Sequence, residues 1–594
     1  MLKKSNNTYL KEKYPNQLVY FIQLWGELLD ARTIDIYQHN IMNAFLAMKE
    51  LLQVAEDTLR GVYESPHNLE DCRNETAALL KDDDIIEKIN PQLHNSLRNR
   101  IHAKIESKEN RIGLCAQLRS SLRHIESNYL NTIFSELKND IHTEQTKQIN
   151  KHTKMLVSQC IHDGWSQKAL MEMSRFLRKE EGDGDSFEEK WSKFRDVLSA
   201  AEGVLHEVYI ELSIQTTSAE KKETVIRELS SMGCPLLRGV DIMGKYDMDL
   251  SSLVNSNKTY LFIEQHSHDV YSAAIKSLQD ISDKINLISF YGLINFWNIS
   301  DTTIFVVNPV TKYRRSFAAE SLFVPYEYID ITNRVFEKTK DIFSNRDENN
   351  ITEKLSGAFA YTNISKASMF QEARFINLWV ALESLVRTDL YKDIITNLTE
   401  VVPAACARRY LFSVIRNFIE DCKRCEVTLA FDTYENIDIE NKQESVEKML
   451  YVFSQVNLYN ELYNKTAVNS LLQERCSEIH ELVSDCEKLK TRLENHYKMI
   501  KWQIQRLYRI RNEITHSAVQ RGLSTVHIKH LFSYLTTTIL EIIAVENKGH
   551  FKNLDEIYCK ITGDYSCAVE LLSHERNNSV IKDTILKSGF IDLL

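Results

Sequence analysis

An arginine, an amide and an imidazole lie close together at the end of one predicted helix, in the segment RNEITH at residues 511–516. His516 is four positions after Asn512, which places the two side chains about 40° apart on one helical face. Arg511 continues an apolar stripe that starts at Ile500, at a position where the pattern predicts an apolar residue. A guanidinium that grips phosphate oxygens and an imidazole that titrates near neutral pH can together bind and cleave a phosphodiester.

Arg511 needs a partner, because an uncompensated guanidinium on a packed helix face is costly in free energy. A second predicted helix, over residues 367–387, contains a matching irregularity, since Glu383 continues one of its apolar stripes. We therefore expect Glu383 and Arg511 to form an ion pair between the two helices. The residues alone leave one alternative open, in which this pair is purely structural and His516 is a hydrogen-bonded core residue.

A basic segment surrounds the RNEITH motif, although the whole chain carries a net charge of −10. Between residues 501 and 530 the cationic side chains are opposed only by Glu513. This local excess of positive charge predicts contact with a polyanion. Arg506, Arg509 and Tyr508 are accordingly predicted to bind the substrate.

Other motifs carry weaker signals. Two basic segments, YRR at 313–315 and RRY at 408–410, are candidates for contact with RNA phosphate, although a solvated face explains either equally well. Cys422 and Cys425 form a CxxC pair, but no second pair or nearby histidine completes a zinc site, so no metal is predicted. P-loop, Rossmann glycine and HExxH patterns are absent from the sequence, which gives no support for ATP-driven or zinc-protease chemistry.

The two predicted helices together resemble the HEPN superfamily and are most similar to its Apea-like branch. The first helix ends in Ala-Leu-Glu at 381–383; the second reads Leu-Tyr-Arg-Ile-Arg-Asn at 507–512 and closes on His516. The resemblance covers about residues 350–545. A fainter likeness to the region that precedes such domains lies around residues 259–274.

The resemblance implies a metal-independent endoribonuclease without cofactors, whose partner and substrate is RNA. His516 would act as general acid or base, and Arg511 would stabilise the charge that develops around phosphorus. Asn512 would orient the imidazole or bind a phosphate oxygen, and Glu383 would hold Arg511 in position. The 2′-hydroxyl would be the internal nucleophile, which leaves 2′,3′-cyclic phosphate ends. Because HEPN domains commonly pair around a shared cleft, and one histidine per protomer is few for both acid and base, a homodimer is expected.

The resemblance also implies a role in prokaryotic anti-phage defence by abortive infection, with an unknown phage-derived or cellular trigger as a further partner. The alternative is a catalytically inactive HEPN scaffold that acts as a binding, sensor or antitoxin-like interaction protein. Eleven cysteines, an odd number scattered singly, and the lack of an apolar targeting segment predict a cytoplasmic protein without a membrane partner.

The composition predicts a mainly α-helical protein, because only 16 glycines and 7 prolines are spread over 594 residues. We expect a helical N-terminal sensor or regulatory region over 1–214, a small α+β module over 215–345, an Apea-like HEPN-type helical bundle over 346–547 with a helical insertion at about 443–499, and a C-terminal tail of uncertain role over 548–594. Deleting residues 1–340 is therefore expected to change activation without changing the cleavage chemistry.

The middle module is predicted from two short β-rich runs, at 257–264 and 302–308, which flank a helical stretch at about 271–294. This order of elements favours a βαβ-like or small α+β arrangement. It separates two parts of the chain in which helical periodicity dominates.

Overall fold

A computed structural model describes residues 16–30, 42–62, 67–105, 107–174, 176–178, 186–200, 203–212, 214–215, 218–246, 250, 252–294, 296–297, 302–322, 333–344, 350–368, 370–438, 442–517, 523–546, 549 and 551–574. Most of these residues are helical, and a small antiparallel sheet lies in the middle of the chain. The predicted fold class, mainly α with a minor α+β module, is confirmed.

The described part of the chain before the sheet is a series of helices. They are α1 (Asn16–Leu28), α2 (Ala44–Leu59), α3 (His67–Lys81), α4 (Asp84–Ile89), α5 (Pro91–His102), α6 (Lys108–Glu126), α7 (Tyr129–His142), α8 (Thr146–His162), α9 (Gln167–Met173) and α10 (Phe187–Leu198). Capping side chains fix several starts: the Leu46 amide donates to the Asn43 side chain at 2.9 Å, and Ser186 and Glu189 form a capping box. These caps satisfy amides that have no partner within the helix.

The next part of the chain has seven described strands, of which five form one antiparallel sheet. The strands are β1 (Val204–Glu211), β2 (Ile214–Gln215), β3 (Leu236–Arg238), β4 (Thr259–Ser267), β5 (Phe296–Trp297), β6 (Thr303–Val307) and β7 (Arg314–Ala318), and the helices are α11 (Ala219–Ser231), α12 (Gly239–Lys245), α13 (Val270–Phe290) and α14 (Ala319–Leu322). The order β3-β4-β1-β6-β7 places β1 in the centre, with Val208 opposite both Ile263 on β4 and Val306 on β6. Strands β2 and β5 form a separate pair.

Both faces of this sheet are covered. On one face, Tyr209 and Phe305 belong to a buried cluster with Ile242 of α12. Val208 alternates to the other face, where α13 packs with Ala274 among its buried residues. The sheet is therefore a packed layer that gives this part of the chain its own core.

The predicted β-rich runs and the helix between them are confirmed as β4, β6 and α13. The two strands are not neighbours, however, because β1 lies between them and pairs antiparallel with both. The expected helical N-terminal region over 1–214 is therefore wrong at its end, where β1 begins. The run Val-Tyr-Ile at 208–210 is the β-rich signal that locates this strand in the sequence.

The rest of the described chain is helical. The helices are α15 (Asn333–Ser344), α16 (Asn350–Ala367), α17 (Gln371–Val386), α18 (Ile394–Arg424), α19 (Lys442–Ser454), α20 (Val456–Thr466), α21 (Ser470–Ser484), α22 (Cys486–Ser517), α23 (Thr525–Glu546) and α24 (Leu554–His574). Helix α18 continues through Pro403, which has no amide hydrogen for the Thr399 carbonyl; the Tyr497 hydroxyl lies 3.5 Å from that oxygen. The insertion expected at about 443–499 is helical, but its last part is continuous with the motif helix α22.

The chain forms two compact units. Unit 1 comprises Met1–Gln159, Tyr328–Ala367 and Arg374–Leu594, and unit 2 comprises Cys160–Glu327 and Ser368–Ala373. The consecutive regions expected from the sequence are therefore not the spatial units, because most N-terminal helices belong with the C-terminal helices. The expected boundary at 345 falls at residues 345–349, which lie outside the described residues.

Buried polar contacts explain why α1 belongs to the same unit as the C-terminal helices. Arg475 of α21 donates to Glu27 of α1 at 2.6 Å, and both side chains are almost fully buried. The Leu471 amide donates to the Gln23 side chain at 3.1 Å. These contacts place α1 in the same core as α21. Separating the two helices would leave the buried charges of Glu27 and Arg475 without partners, which is strongly destabilising, so α1 is not a separate domain.

The segment after residue 548, expected to be a tail, contains α24. Tyr558 of this helix is buried and donates to the Leu385 carbonyl of α17 at 2.8 Å. Leu554, Ile557 and Ile561 are also buried. The last described helix therefore completes the core beside α17, and residues 575–594 lie outside the described part.

Among the described residues, helix α23 is long and apolar enough to span a membrane when judged by length and composition alone. Most of its apolar window, 67%, is buried inside the protein. A core helix of a folded domain has the same properties, so α23 is weak evidence about membranes. It corresponds to the helix predicted from about residue 528 to 544.

Candidate phosphate-binding site

Helix α17 presents two adjacent stripes with different surroundings. Phe375, Trp379 and Leu382 are buried, as the apolar pattern predicts. Ile376 and Glu383 on the neighbouring stripe are only partly buried. Glu383 therefore lies at the edge of the core, where its side chain is 16% exposed. A carboxylate is tolerated there because it keeps partial contact with water and has nearby donors.

Helix α22 reaches the same edge with its last turns. Ile504 and Leu507 are buried, whereas the Arg511 side chain, next along the stripe, is 29% exposed. The fully buried part of this stripe ends before Arg511, because residues 511–514 are only partly buried. An arginine on this stripe is consistent with that change of surroundings.

Three donor groups surround the Glu383 carboxylate. The Trp379 indole N–H donates to Oε2 at 2.7 Å, and the Arg387 guanidinium donates to Oε1 at 2.9 Å. Arg511 Nη2 lies 3.8 Å from Oε2. The expected pair of Glu383 and Arg511 is present, but it is the longest of the three contacts. Glu383 would therefore stay in place if Arg511 moved toward a ligand.

The Arg511 guanidinium also contacts its neighbour in sequence. Its Nη1 donates to Asn512 Oδ1 at 3.1 Å. The Thr515 hydroxyl donates to the Arg511 carbonyl at 2.9 Å within the same helix. Because the Asn512 oxygen accepts from Arg511, the amide NH₂ group is the part of Asn512 that can donate to a phosphate oxygen.

Further cationic groups lie beside Glu383. The Arg387 side chain is 66% exposed. Lys354 of α16 donates to the carbonyls of Ser384 and Arg387 at 3.0 and 2.8 Å, which caps the C-terminus of α17. Burial lowers the pKa of Lys354, and the Arg387 charge adds to this effect. These two hydrogen bonds order the last turn of α17, which carries Glu383 and is followed directly by Arg387.

Tyr508 and His516 complete the set predicted from the sequence. The Tyr508 ring is partly buried, with its centroid 5.9 Å from that of Trp379, so it borders the site. His516 lies in the last turn of α22, but its side chain is outside the described part of the structure. The helical backbone keeps His516 one turn beyond Asn512, as predicted.

Arg506 and Arg509 do not lie at this site, which corrects their predicted role in substrate binding. Both are buried. Arg506 donates to Glu75 at 2.7 Å and to Glu50 at 2.9 Å, and Arg509 donates to Glu50 at 2.6 Å. Burial alone would raise the pKa of Glu50, but the two guanidiniums hold it at about 2. These arginines connect α22 to α2 and α3, and RNA contact would require these ion pairs to break.

The RRY segment at 408–410 is likewise internal. Arg408 Nη1 lies 3.0 Å from Asp564, and Arg409 Nη1 lies 3.3 Å from Glu541. Arg408 and Tyr410 are buried. The candidate contact of this segment with RNA phosphate is therefore replaced by a structural role between α18, α23 and α24.

The CxxC cysteines lie in the core. Cys422 and Cys425 are buried, and burial raises the pKa of both thiols, that of Cys425 to about 11. A metal ligand must be a thiolate, so these protonated thiols are poor ligands. Among the described residues, no group of three or more His, Cys, Asp or Glu side chains is arranged to hold a metal ion.

Two residues of the site were not singled out in the sequence. They are Trp379 and Arg387. Both lie four residues from Glu383 in the sequence, one on each side, and on a helix this spacing places side chains in contact. That spacing was the available signal.

The arrangement offers an open guanidinium beside a fixed carboxylate, an amide donor and a histidine-bearing helix end. Such a surface can bind a phosphate group through Arg511, with Arg387 close by. No protein-family model, curated protein or solved structure matches this chain. The chemistry that the site can perform is therefore inferred from its own geometry.

Proposed function

We propose that this protein is a metal-independent endoribonuclease of HEPN type, with its site at Arg511, Asn512, His516 and Glu383. The observation that carries the proposal is the difference between the arginines of α22. Arg506 and Arg509 are buried and held by carboxylates, whereas Arg511 is 29% exposed and has a carboxylate only at 3.8 Å. A phosphate can approach Arg511 without breaking a buried ion pair.

The proposed reaction is cleavage through the 2′-hydroxyl of RNA. His516 removes the hydroxyl proton or protonates the leaving oxygen, since an imidazole titrates near pH 6.5. Arg511 stabilises the negative charge of the phosphorane-like transition state, and Asn512 donates to a phosphate oxygen. The products carry 2′,3′-cyclic phosphate ends. Two protomers supply the acid and the base, so the active form is a homodimer in which two α22 ends face one cleft.

The biological setting follows from the resemblance to Apea-like HEPN domains. We place the protein in the cytoplasm of a prokaryote, where RNA cleavage after a phage-derived or cellular trigger halts growth. We propose that the parts of the chain outside the site keep the nuclease inactive until the trigger is present.

The direct test is incubation of the purified full-length chain with total RNA in the presence of EDTA. We expect cleavage in the wild type, loss of cleavage in His516→Ala and Arg511→Ala, and cyclic phosphate at the new 3′ ends. His124→Ala and Arg123→Ala are matched controls, because both residues are exposed on α6, and they should cleave like the wild type. Cleavage that persists in both site variants would exclude this site.

The second candidate is a HEPN scaffold that binds without cutting. The observation that favours it is the close contact of Glu383 with Trp379 and Arg387, which is also what a purely structural network requires. RNA binding without cleavage, in the presence of extract from phage-infected cells, would select this second function.

A further inference from the structure

The hairpin that joins β6 to β7 in unit 2 has a rigid tip. The amides of Val310 and Thr311 donate to the Asn308 side chain at 3.0 and 2.8 Å. The Lys312 amide donates to the Asn308 carbonyl at 3.0 Å, and Lys312 adopts a left-handed φ of 58°. Since a non-glycine residue rarely adopts this conformation, these hydrogen bonds hold the backbone of the turn.

The tip combines cations with exposed apolar and aromatic groups. All residues from 310 to 314 are exposed, including Val310 at 85% and Tyr313 at 49%. Lys312 and Arg314 form no ion pair with any residue that the structure describes. The tip therefore places two cations on either side of an exposed tyrosine, although the whole chain carries a net charge of −10.

The base of the hairpin holds the tip in position. The Arg315 guanidinium forms an ion pair with Glu172 of α9 and lies 5.1 Å from the centre of the Tyr271 ring. The Tyr271 hydroxyl donates to Glu172 at 2.7 Å. The Tyr313 hydroxyl lies 3.5 Å from Glu172, and about half of the residue, 49%, is exposed. Arg315 is therefore a positioning residue, and the groups free to contact a ligand are those of the tip.

We infer that the hairpin tip, residues 310–314, is a contact site for single-stranded RNA. The Tyr313 ring is a platform on which a base can stack, and Lys312 and Arg314 bind the phosphates on either side. This inference rests on the proposed function, for which it supplies substrate contacts. Arg506 and Arg509, the substrate-binding residues expected from the sequence, are instead held by Glu50 and Glu75.

The test measures RNA binding separately from cleavage. Full-length His516→Ala protein is titrated into a labelled single-stranded RNA of mixed sequence, followed by fluorescence anisotropy over a range of salt concentrations. Tyr313→Ala should weaken binding about tenfold, and Tyr313→Phe should bind like the parent, because stacking needs the ring and not the hydroxyl. The double variant Lys312→Ala/Arg314→Ala should reduce the salt slope by about 1.4, which is about 0.7 for each lost phosphate contact.

Lys222→Ala is the matched control, because Lys222 is an exposed lysine on α11 of the same unit, and its affinity should be unchanged. The hairpin proposal would be overturned if Tyr313→Ala and the double variant both bound RNA as tightly as the parent. It would also be overturned if the parent did not bind RNA. Equal binding of a duplex RNA with no effect of Tyr313→Ala would also overturn it, since stacking would play no part. Tip-dependent binding by a wild-type chain that never cleaves RNA would support the hairpin and refute the nuclease.

Discussion

At the scale of single residues, the candidate site depends on how one carboxylate is shared. Glu383 accepts from Trp379 and Arg387 at hydrogen-bond distance, and Arg511 remains at 3.8 Å. The two close donors fix the position of the carboxylate before any ligand binds. A ligand phosphate therefore has to replace only the longest of the three contacts, that of Arg511. Substrate binding then costs little free energy at Glu383.

Replacing Glu383 separates its structural role from its charge. Glu383→Ala leaves the indole N–H of the buried Trp379 without its acceptor, so we expect a loss of about 1–3 kcal/mol in unfolding free energy together with loss of cleavage. Glu383→Gln keeps an acceptor for the indole and removes the charge, so it should lose less stability. Urea unfolding followed by circular dichroism measures both. Equal destabilisation by the two substitutions would show that the hydrogen bond to Trp379 is not what stabilises this site.

At the scale of elements, the geometry of α22 explains why its arginines have different fates. At about 100° per residue, Arg511 lies about 140° around the helix from Arg506 and about 160° from Arg509. The face with Arg506 and Arg509 packs against α2 and α3, and the face with Arg511 meets α17. Clustering of cations in the sequence therefore did not mean clustering in space.

The buried pairs between α22 and α2 predict a large effect of a distant substitution. Glu50→Ala leaves two guanidiniums in the core without a shared partner, and we expect a loss of about 3–5 kcal/mol in unfolding free energy. Glu126→Ala is the control. It breaks the exposed ion pair between Glu126 of α6 and Lys49, which lies on α2 beside Glu50, at a cost of about 0–1 kcal/mol. Chemical denaturation measures both. A small effect of Glu50→Ala would mean that water reaches the two guanidinium groups. Arg506 and Arg509 would then again be candidates for RNA contact.

His152 joins three N-terminal helices and predicts a pH dependence. Its ring is fully buried between Asp140 at 2.6 Å and Asp84 at 3.1 Å. Burial alone would lower the pKa of His152, but the hydrogen bonds to Asp140 and Asp84 and the charges of both carboxylates outweigh it and raise the pKa. The stability that the protonated ring contributes is therefore fully present below the unfolded pKa of about 6.5, and is lost as pH rises through the raised pKa.

The measurement compares the unfolding free energies of the wild type and His152→Gln across pH. The difference between the two proteins should be largest below pH ~6.5 and should shrink at higher pH. The glutamine keeps a hydrogen-bonding group but has no charge to lose. A difference that stays constant with pH would show that His152 has the same pKa in the folded and the unfolded protein.

At the scale of the whole molecule, periodicity predicted the helices well and their grouping poorly. The buried stripes of α17 and α22 and the pair of Glu383 with Arg511 follow from 3.6-residue spacing, which is local information. Contacts such as Arg475 with Glu27 join residues 448 positions apart, and no local pattern in one sequence indicates them. The same limit explains why α24 was expected to be a tail, since only the packed structure shows the Tyr558 hydroxyl on the Leu385 carbonyl.

The grouping of α1 with the motif helix predicts how damage at one end of the chain reaches the candidate site. Trp25 of α1 is 1% exposed, so Trp25→Ala should cost about 3–5 kcal/mol by leaving a cavity in unit 1. Hydrogen exchange measured by mass spectrometry should then accelerate in peptides of α18 and α22, while β1, β4 and α13 of unit 2 keep their wild-type rates. This outcome would also explain a loss of cleavage when residues 1–340 are removed, because that deletion takes away part of the core around α22. Acceleration confined to residues 1–159 would instead restore the separate N-terminal domain expected from the sequence.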